Sequence, residues 1–429
     1  MKKLPLGIST FSDIVRQGRL YVDKTRWIHK LVAEGGKYFF LSRPRRFGKS
    51  LLVSTLKEIF EGNRDLFAGL WIHDKLDWTP NPVIRLDCSA INYDTPDALK
   101  SSLVTVLSEI AAGAGLALDA GDYKMALREL ILRLSARGRV ALLVDEYDKP
   151  LVDFVDVPEI AAANRDVLRS FYSTIKGCDE YLQFVLVTGV SKFSRVSLFS
   201  GLNNLDDITV DDRFSTLLGW TEDELQATFA EWIDVACERM GIGRDEMIER
   251  VREWYNGYSW DGRTFVYNPQ SILSLFSKMR FGNFWFETGT PSFLLKMIRQ
   301  HDVNIGELEA YVTDDSLFET YDVDRMNVPS LLFQSGYLTV KHIKTDVSGA
   351  REYTLSYPNR EVRESLLKHI LADFSKSQTD TAGLTARRMA ARIARHDLEG
   401  FFALQRSVRF WLPSPTTLSF ATARATTRR

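Results

Sequence analysis

Residues 37–50 read KYFFLSRPRRFGKS and join two different local patterns. Residues 37–42 contain the run Tyr38–Leu41 of large apolar side chains and follow two glycines, which is typical of the start of a buried strand. From Lys49 to about Phe60 the apolar residues recur at helical spacing, which predicts a helix. A strand that turns directly into a helix presents main-chain amides and the positive end of a helix dipole, where a phosphate can bind.

The turn between this strand and this helix predicts a phosphate-binding loop. It approximates the pattern GxxxxGK[ST], with Arg43 at the first glycine position. Lys49 can reach the β- and γ-phosphates of a nucleotide, the Ser50 hydroxyl can coordinate Mg²⁺, and Gly48 allows the backbone to approach a phosphate closely. On these residues alone, a solvated basic turn that caps a helix remains an alternative. The expected nucleotide-binding residues are Arg45, Arg46, Phe47, Gly48, Lys49, Ser50 and Leu51.

A second part of the site follows the run Val140–Val144, whose five apolar residues end in Asp145 and Glu146. Carboxylates at the carboxyl end of a parallel strand face the ligand crevice of an open α/β sheet. Asp145 is therefore predicted to hold Mg²⁺ together with Ser50, and Glu146 to orient and activate the attacking water. The alternative for an acidic pair after a strand is a helix N-cap.

A third part lies at the end of the predicted strand Phe184–Thr188. A polar side chain there can sense the γ-phosphate, and Thr188 or Ser191 can serve; either can equally be a simple cap. The expected catalytic residues are Glu146, Lys49 and Thr188.

Arginines near these segments can add positive charge to the site. Arg195 and Arg213 follow the last predicted strand and can supply transition-state charge. Arg43, Arg45 and Arg46 form a basic cluster beside the loop. A solvated face is the default interpretation of that cluster, and contacts to phosphate or to a partner are the alternative.

The alternation of strands and helices up to about residue 210 predicts an α/β fold with a parallel, doubly wound sheet. After that point the pattern changes, first to helices and then to a helix, a hairpin and a helix. The expected organisation is a P-loop ATPase core with an N-terminal extension (1–210), a helical lid subdomain (211–312), a winged-helix-like region (313–380), an amphipathic helix (381–405) and a disordered or aberrant tail (406–429).

The composition of the chain argues against several classes of protein. The chain has 429 residues and a net charge of −1, so no global charge attracts nucleic acid. Its three cysteines form no CxxC pair, which argues against structural zinc and fits a reducing compartment. The N-terminus has no run typical of a signal peptide, and no apolar stretch is long enough for a membrane span. We expect a cytoplasmic protein with no membrane contact.

Several motifs together resemble the AAA-ATPase-like family of bacterial proteins. They are YVDKT (21–25), RPRRFGKS (43–50), VDEYDKP (144–150), TGVSKF (188–193), SGLNNL (200–205) and WYNGY (254–258), and the resemblance covers roughly residues 4–405. The form RPRRFGK is the family's own form of the loop, so Arg43 in place of glycine does not contradict the interpretation.

The resemblance implies an additional-strand P-loop NTPase fold with the parallel sheet order 5-1-4-3-2, and a site for ATP and Mg²⁺. Members usually carry a nuclease-like domain of the PD-(D/E)-x-K type, which would begin near residue 405. Residues 407–429 match neither that domain nor the helix before it, so we expect a truncation or a frameshift upstream of the nuclease.

Two functions follow as hypotheses. The first is a nucleotide-controlled switch that binds ATP with Mg²⁺ and converts ATP and water to ADP and phosphate. The second is a nucleic-acid-binding or scaffold protein with a vestigial nucleotide site, and a DNA or protein partner is possible for either. The aromatic residues Trp254, Tyr255, Tyr258 and Trp260 can stack on bases, but a local core is the favoured interpretation.

Overall fold

The structure, a computed structural model, describes residues 1–34, 36–192, 204–285, 304–318 and 328–375. A few isolated positions are described as well: 198, 199, 202, 294, 295, 297, 298, 388, 389, 391, 392, 397, 399 and 400. The chain divides into two compact units, Met1–Arg363 and Glu364–Arg429, and the predicted site residues lie in the first. The predicted helix 381–405 is described only at isolated positions. The predicted tail 406–429, and the point at which a nuclease-like domain would begin, lie outside the described residues.

A five-stranded parallel sheet forms the core of the first unit. Its strands are β1 (Tyr38–Ser42), β2 (Val83–Asp87), β3 (Val140–Asp145), β4 (Leu182–Gly189) and β5 (Asp206–Asp207). Their order is β2-β3-β4-β1-β5. Read from the β5 edge this is 5-1-4-3-2, the order that the resemblance implied. Because β4 lies between β1 and β3, the carboxyl ends of these three strands lie side by side.

Helices cover both faces of this sheet. Helices α1 (Phe11–Arg16), α2 (Thr25–His29) and α3 (Lys49–Phe60) pack on one face, and α4 (Pro96–Gly113), α5 (Tyr123–Ser135) and α7 (Pro158–Lys176) on the other, with the short α6 (Lys149–Val152) after β3. Side chains alternate between the faces along each strand. In β3, Val140, Leu142 and Val144 join the α4 side, and Ala141 and Leu143 join the α3 side. A strand buried on both faces explains the unbroken apolar run in the sequence.

Local sequence signals mark the first residues of several helices. Thr95 accepts a hydrogen bond from the Ala98 amide at the start of α4. The helix α8 (Glu222–Thr228) begins with a capping box, in which Thr221 and Glu224 each bind the other's main-chain amide. Both devices satisfy amides that a helix start leaves without intrahelical partners.

The later part of the first unit contains a group of helices and a small sheet. The helices are α8, α9 (Ala230–Met240), α10 (Arg244–Tyr255) and α11 (Pro269–Lys278). Tyr255 and Tyr258 are buried, in agreement with the favoured interpretation of the dense aromatic segment as local core. Strands β6 (Tyr311–Thr313), β7 (Thr339–Thr345) and β8 (Arg351–Ser356) form an antiparallel sheet in the order β6-β8-β7.

Between residues 328 and 375 the elements follow the predicted order of helix, hairpin and helix. They are α12 (Val328–Ser335), the β7–β8 hairpin and α13 (Arg360–Ser375). The winged-helix interpretation and the other domain boundaries stay predictions. None of the helices in the described part of the chain combines the length and the apolar character needed to cross a bilayer.

Truncation of a core residue in β4 tests the layered arrangement. Val185→Ala removes side-chain carbon from a fully buried site and is expected to lower the free energy of unfolding by about 2 kcal/mol. The fully exposed Val347 offers the matched control, and Val347→Ala is expected to change stability by less than about 0.5 kcal/mol. Urea unfolding measures both, and equal shifts for the two variants would contradict the assigned burial.

Candidate functional site

The segment Arg43–Gly48 forms the turn between β1 and α3. Two of its residues have left-handed backbone conformations, Arg46 with φ of 66° and Gly48 with φ of 92°. Gly48 is the N-cap of α3, and Lys49 is the first helical residue. The chain therefore reverses tightly at the carboxyl end of a buried strand and leads into the amino end of a 12-residue helix, which suits an anion.

Lys49 is buried beneath this loop. Its Nζ donates hydrogen bonds to the carbonyl oxygens of Arg43 and Pro44, at 2.9 and 3.0 Å. Burial lowers the pKa of Lys49, and the negative charges of Asp145, Asp148 and Glu146 oppose that shift. The structure therefore brings the predicted loop lysine and the predicted acidic pair into one electrostatic cluster.

Asp145 ends β3 and is almost fully buried. Its Oδ1 accepts hydrogen bonds from the Thr188 hydroxyl at 2.7 Å and from the Glu146 amide at 3.1 Å. Its Oδ2 is buried and receives no hydrogen bond from the described residues. A buried carboxylate oxygen without a donor is costly, and a cation on this oxygen would remove that cost.

Thr188 lies at the end of β4 with no exposed surface. The sequence predicted it as a catalytic residue that senses the γ-phosphate. In the structure its hydroxyl donates to Asp145, so the contact it makes orients the carboxylate. Its predicted catalytic role stays a prediction.

Asp148 was not among the site residues that the sequence predicted. Its carboxylate accepts hydrogen bonds from the Val190 amide, the Ser191 amide and the Ser191 hydroxyl, the last two at 2.8 Å. Asp148 therefore caps the turn after β4, and the Ser191 hydroxyl is one of its donors. Gly189 is required there, because a Cβ would lie 2.6 Å from Asp148 Oδ1 and from the Tyr147 ring. The sequence signal was the acidic residue three positions after Asp145.

Glu146 has a left-handed backbone conformation, with φ of 50°. This is uncommon for a residue with a side chain and is often found at functional sites. Burial raises the pKa of Glu146; Lys49 opposes the shift, and Asp145 and Asp148 add to it. A carboxylate with a raised pKa is a stronger proton acceptor than an ordinary glutamate.

A cavity of about 500 Å³ adjoins the loop. Its lining includes every predicted nucleotide-binding residue from Arg45 to Leu51, together with Glu146 and Asp148. It also includes apolar residues from other segments, namely Ile8, Leu20, Val22, Leu218, Trp220 and Leu273. The sequence analysis did not predict this apolar lining, because its residues come from three distant segments that no local pattern connects.

Lys24 lines the same cavity. Its Nζ donates to Glu224 Oε2 at 2.5 Å and to the carbonyl oxygen of Thr216 at 3.0 Å. This buried ion pair joins the N-terminal segment to the first turn of α8.

The arginines near the loop have different roles. Arg43 is not solvated, contrary to the default interpretation of the basic cluster, since its side chain is 1% exposed. Its guanidinium donates to the carbonyl oxygens of Thr209 at 2.6 Å and Phe214 at 3.3 Å. Burial lowers the pKa of Arg43 to about 9. The residue at the first glycine position therefore anchors the loop to the protein interior.

Arg45 and Arg46 are exposed and line the cavity. Arg213 is exposed and forms a two-pronged ion pair with Asp211 through Nε and Nη2, and it is not among the residues that line the cavity. Arg195 lies outside the described residues.

Comparison with known proteins identifies related sequences. The family model described as "Predicted AAA-ATPase" matches residues 5–199. A protein of Azotobacter chroococcum mcd 1, named "Uncharacterized protein in vnfD 5'region", is 44% identical over 375 residues, which are 86% of this chain and 70% of that protein. The chain belongs to the Predicted AAA-ATPase family. No solved structure matches it.

Membership of the Predicted AAA-ATPase family implies nucleotide binding, usually with Mg²⁺. The residues present fit that ion, because Mg²⁺ prefers oxygen ligands and Asp145 Oδ2 is a buried carboxylate oxygen that lacks a donor among the described residues. Ser50, on the first turn of α3, lines the cavity. Asp145 and Ser50 are the residues that would hold the ion, and this assignment stays a prediction.

Removal of the Thr188 hydroxyl tests how Asp145 is oriented. Thr188→Val preserves the shape of the side chain but leaves Asp145 Oδ1 with only the Glu146 amide. We expect the Mg²⁺ concentration needed for half-maximal nucleotide binding to rise by about tenfold or more. Thr105→Val is the matched control, since its hydroxyl donates to the Ser101 carbonyl on the exposed side of α4. An unchanged Mg²⁺ requirement in a folded Thr188→Val variant would contradict this role.

Proposed function

We propose that this protein binds ATP with Mg²⁺, hydrolyses it to ADP and phosphate, and acts as a nucleotide-controlled switch. The observation that carries the proposal is that Lys49 and Glu146 line one cavity while the negative charge of Asp145, buried beside them, acts on Lys49. These residues come from separate segments of the chain. Each alone has an ordinary structural explanation, but burial of a lysine beside three acids costs desolvation free energy, which favours a functional role for the cluster.

The lining of the cavity suits both parts of a nucleotide. The loop and Lys49 supply polar surface, where phosphate charge is stabilised by the helix dipole and by a buried cation. The apolar lining residues, among them Trp220 and Leu273, suit a flat base. Cavities of this size commonly enclose a small ligand.

The chemistry assigned to each group follows from its environment. Bound Mg²⁺ would neutralise phosphate charge and fix its position. Glu146 accepts a proton from water, whose oxygen forms a bond to the γ-phosphorus while the bond to the ADP oxygen breaks. Lys49 stabilises the charge on the β- and γ-phosphates. Thr188 keeps Asp145 in place through its hydrogen bond.

The switch role is supported by the origin of the cavity walls. Pro5–Val22 of the N-terminal segment, the loop, and α11 of the helical region all contribute lining residues. A ligand that contacts several segments at once favours one arrangement of them over others. In this proposal residues 211–312 act as a lid, and the switch controls a DNA or protein partner.

Replacement of the loop lysine tests nucleotide binding. Calorimetric titration of the wild type with ATP and Mg²⁺ is expected to show binding, and Lys49→Ala is expected to weaken it at least tenfold, because a buried charge–phosphate contact is lost. Lys57→Ala is the control on the same helix, where Lys57 pairs with Glu61 away from the cavity. If the folded wild type does not bind ATP, the ATPase proposal is wrong and the scaffold alternative with a vestigial site is favoured.

Replacement of Glu146 separates binding from hydrolysis. Glu146→Gln is expected to retain ATP binding and to reduce kcat by about 10²–10⁴, because the proton acceptor is removed. Since burial raises the pKa of Glu146, the wild-type rate is expected to be full above that pKa and to fall as the pH drops through it. This acidic limb should lie above the pH at which an ordinary glutamate protonates.

The measurement is kcat as a function of pH for the wild type, for Glu146→Gln, and for Glu159→Gln on the first turn of α7 as a control. Equal kcat in the wild type and in Glu146→Gln would show that another group accepts the proton.

A further inference from the structure

The outer side of the phosphate loop contacts aromatic side chains that lie more than two hundred residues later in the chain. Trp285 donates a hydrogen bond from Nε1 to the carbonyl oxygen of Arg45 at 3.1 Å. The ring of Trp260 lies 3.9 Å from Cζ of Arg43, in a cation–π contact. Two residues of the loop are thus held by side chains outside the α/β core.

Phe47 of the loop packs into the same group. Its ring meets Tyr258 edge to face at 4.7 Å and Trp260 at 5.5 Å between ring centres. Phe47 is 1% exposed, although its neighbours Arg45 and Arg46 are exposed. We call Tyr258, Trp260 and Trp285 the aromatic clamp.

Pro44 is held from the same side by a close main-chain approach. Gly336, in the turn between α12 and β7, has φ of 89°, and a Cβ there would lie 2.6 Å from Cβ of Pro44. This contact leaves no room for a side chain at position 336, so the turn and the loop fit together only with glycine there.

The aromatic clamp is itself braced by buried polar contacts. Glu361, which is 1% exposed, accepts the Trp285 amide at 2.7 Å through Oε1 and the Ser271 hydroxyl at 2.7 Å through Oε2. Beside Tyr258, the Ser259 amide donates to the Thr339 hydroxyl, which in turn donates to the Ser259 carbonyl. Networks of this kind hold side chains in one arrangement.

The bond from Trp285 has a direct consequence for the loop. The peptide unit is planar, and the described part of the chain has no cis peptide bond, so the Arg45 carbonyl and the Arg46 amide point in opposite directions. A carbonyl fixed toward Trp285 directs the following amide away from Trp285. The hydrogen bond therefore sets the direction of one of the main-chain donors in the loop.

We propose that the aromatic clamp positions the phosphate loop for its ligand and that Trp285 is a positioning residue for nucleotide binding. This rests on the proposed function for the identity of the ligand. The loop binds phosphate only when its amides converge. Without the clamp the loop samples other conformations, and the apparent affinity falls by the fraction of molecules whose loop is competent.

The test compares two tryptophans that each donate to a main-chain carbonyl. Trp285→Phe removes the bond to Arg45 and retains an aromatic ring. Trp78→Phe is the matched control, because Trp78 Nε1 donates to the His73 carbonyl at 2.8 Å and Trp78 does not line the cavity. Calorimetry measures the Kd of ATP with Mg²⁺, and hydrogen exchange measures protection of the amides of residues 45–50, on the full chain.

Trp285→Phe is expected to raise the Kd by about threefold to tenfold, which is the effect of one hydrogen bond, and to speed amide exchange in residues 45–50. Trp78→Phe is expected to change neither quantity. A Kd and an exchange pattern in Trp285→Phe equal to those of the wild type would overturn the proposal.

If the wild type binds no nucleotide, the proposed function is wrong, and amide hydrogen exchange alone then tests whether the aromatic clamp positions the loop. Faster amide exchange in residues 45–50 of Trp285→Phe, but not of Trp78→Phe, supports positioning of the loop. Equal exchange in both variants and the wild type overturns it.

Discussion

The parallel pairing of β4 between β1 and β3 is the constraint on which the site depends. It sets Leu41 beside Thr188 and Val144 beside Val187. Because all three strands run in the same direction, their carboxyl ends meet at one edge of the sheet. The phosphate loop, the acidic pair and the Thr188 hydroxyl therefore share one region, although more than a hundred residues separate Lys49 from Thr188.

Burial then determines the electrostatics of that region. Lys49 and Asp145 are both nearly inaccessible to water, and isolated charges in such positions are costly. The negative charges near Lys49 offset part of its cost, and the loop carbonyls accept its hydrogen bonds. Asp145 keeps one oxygen without a donor among the described residues. This pattern favours a site that a phosphate and a cation complete.

Contacts from distant segments support the loop from its other side. A glycine at the first position of such a loop turns without side-chain constraints, whereas Arg43 needs a buried environment with several acceptors. The carbonyls of Thr209 and Phe214 and the ring of Trp260 supply that environment. The arginine at the first position of the loop and the later aromatic segment therefore depend on each other. This dependence is visible only in the fold, where the two segments meet.

The sequence by itself determined the buried strands β1, β3 and β4, the helix after the loop, and the positions of the loop and the acidic pair at strand ends, and the family resemblance supplied the order of the sheet. These follow from local periodicity, from turn residues and from contiguous motifs, which depend on neighbours in the chain. The short strands β5 and β6 were not predicted. Only the tertiary structure decided that Arg43 is buried, that Thr188 orients Asp145, that Asp148 caps the turn after β4, and that Trp285 holds Arg45. These roles depend on which side chains meet across long sequence distances, and no local pattern carries that information.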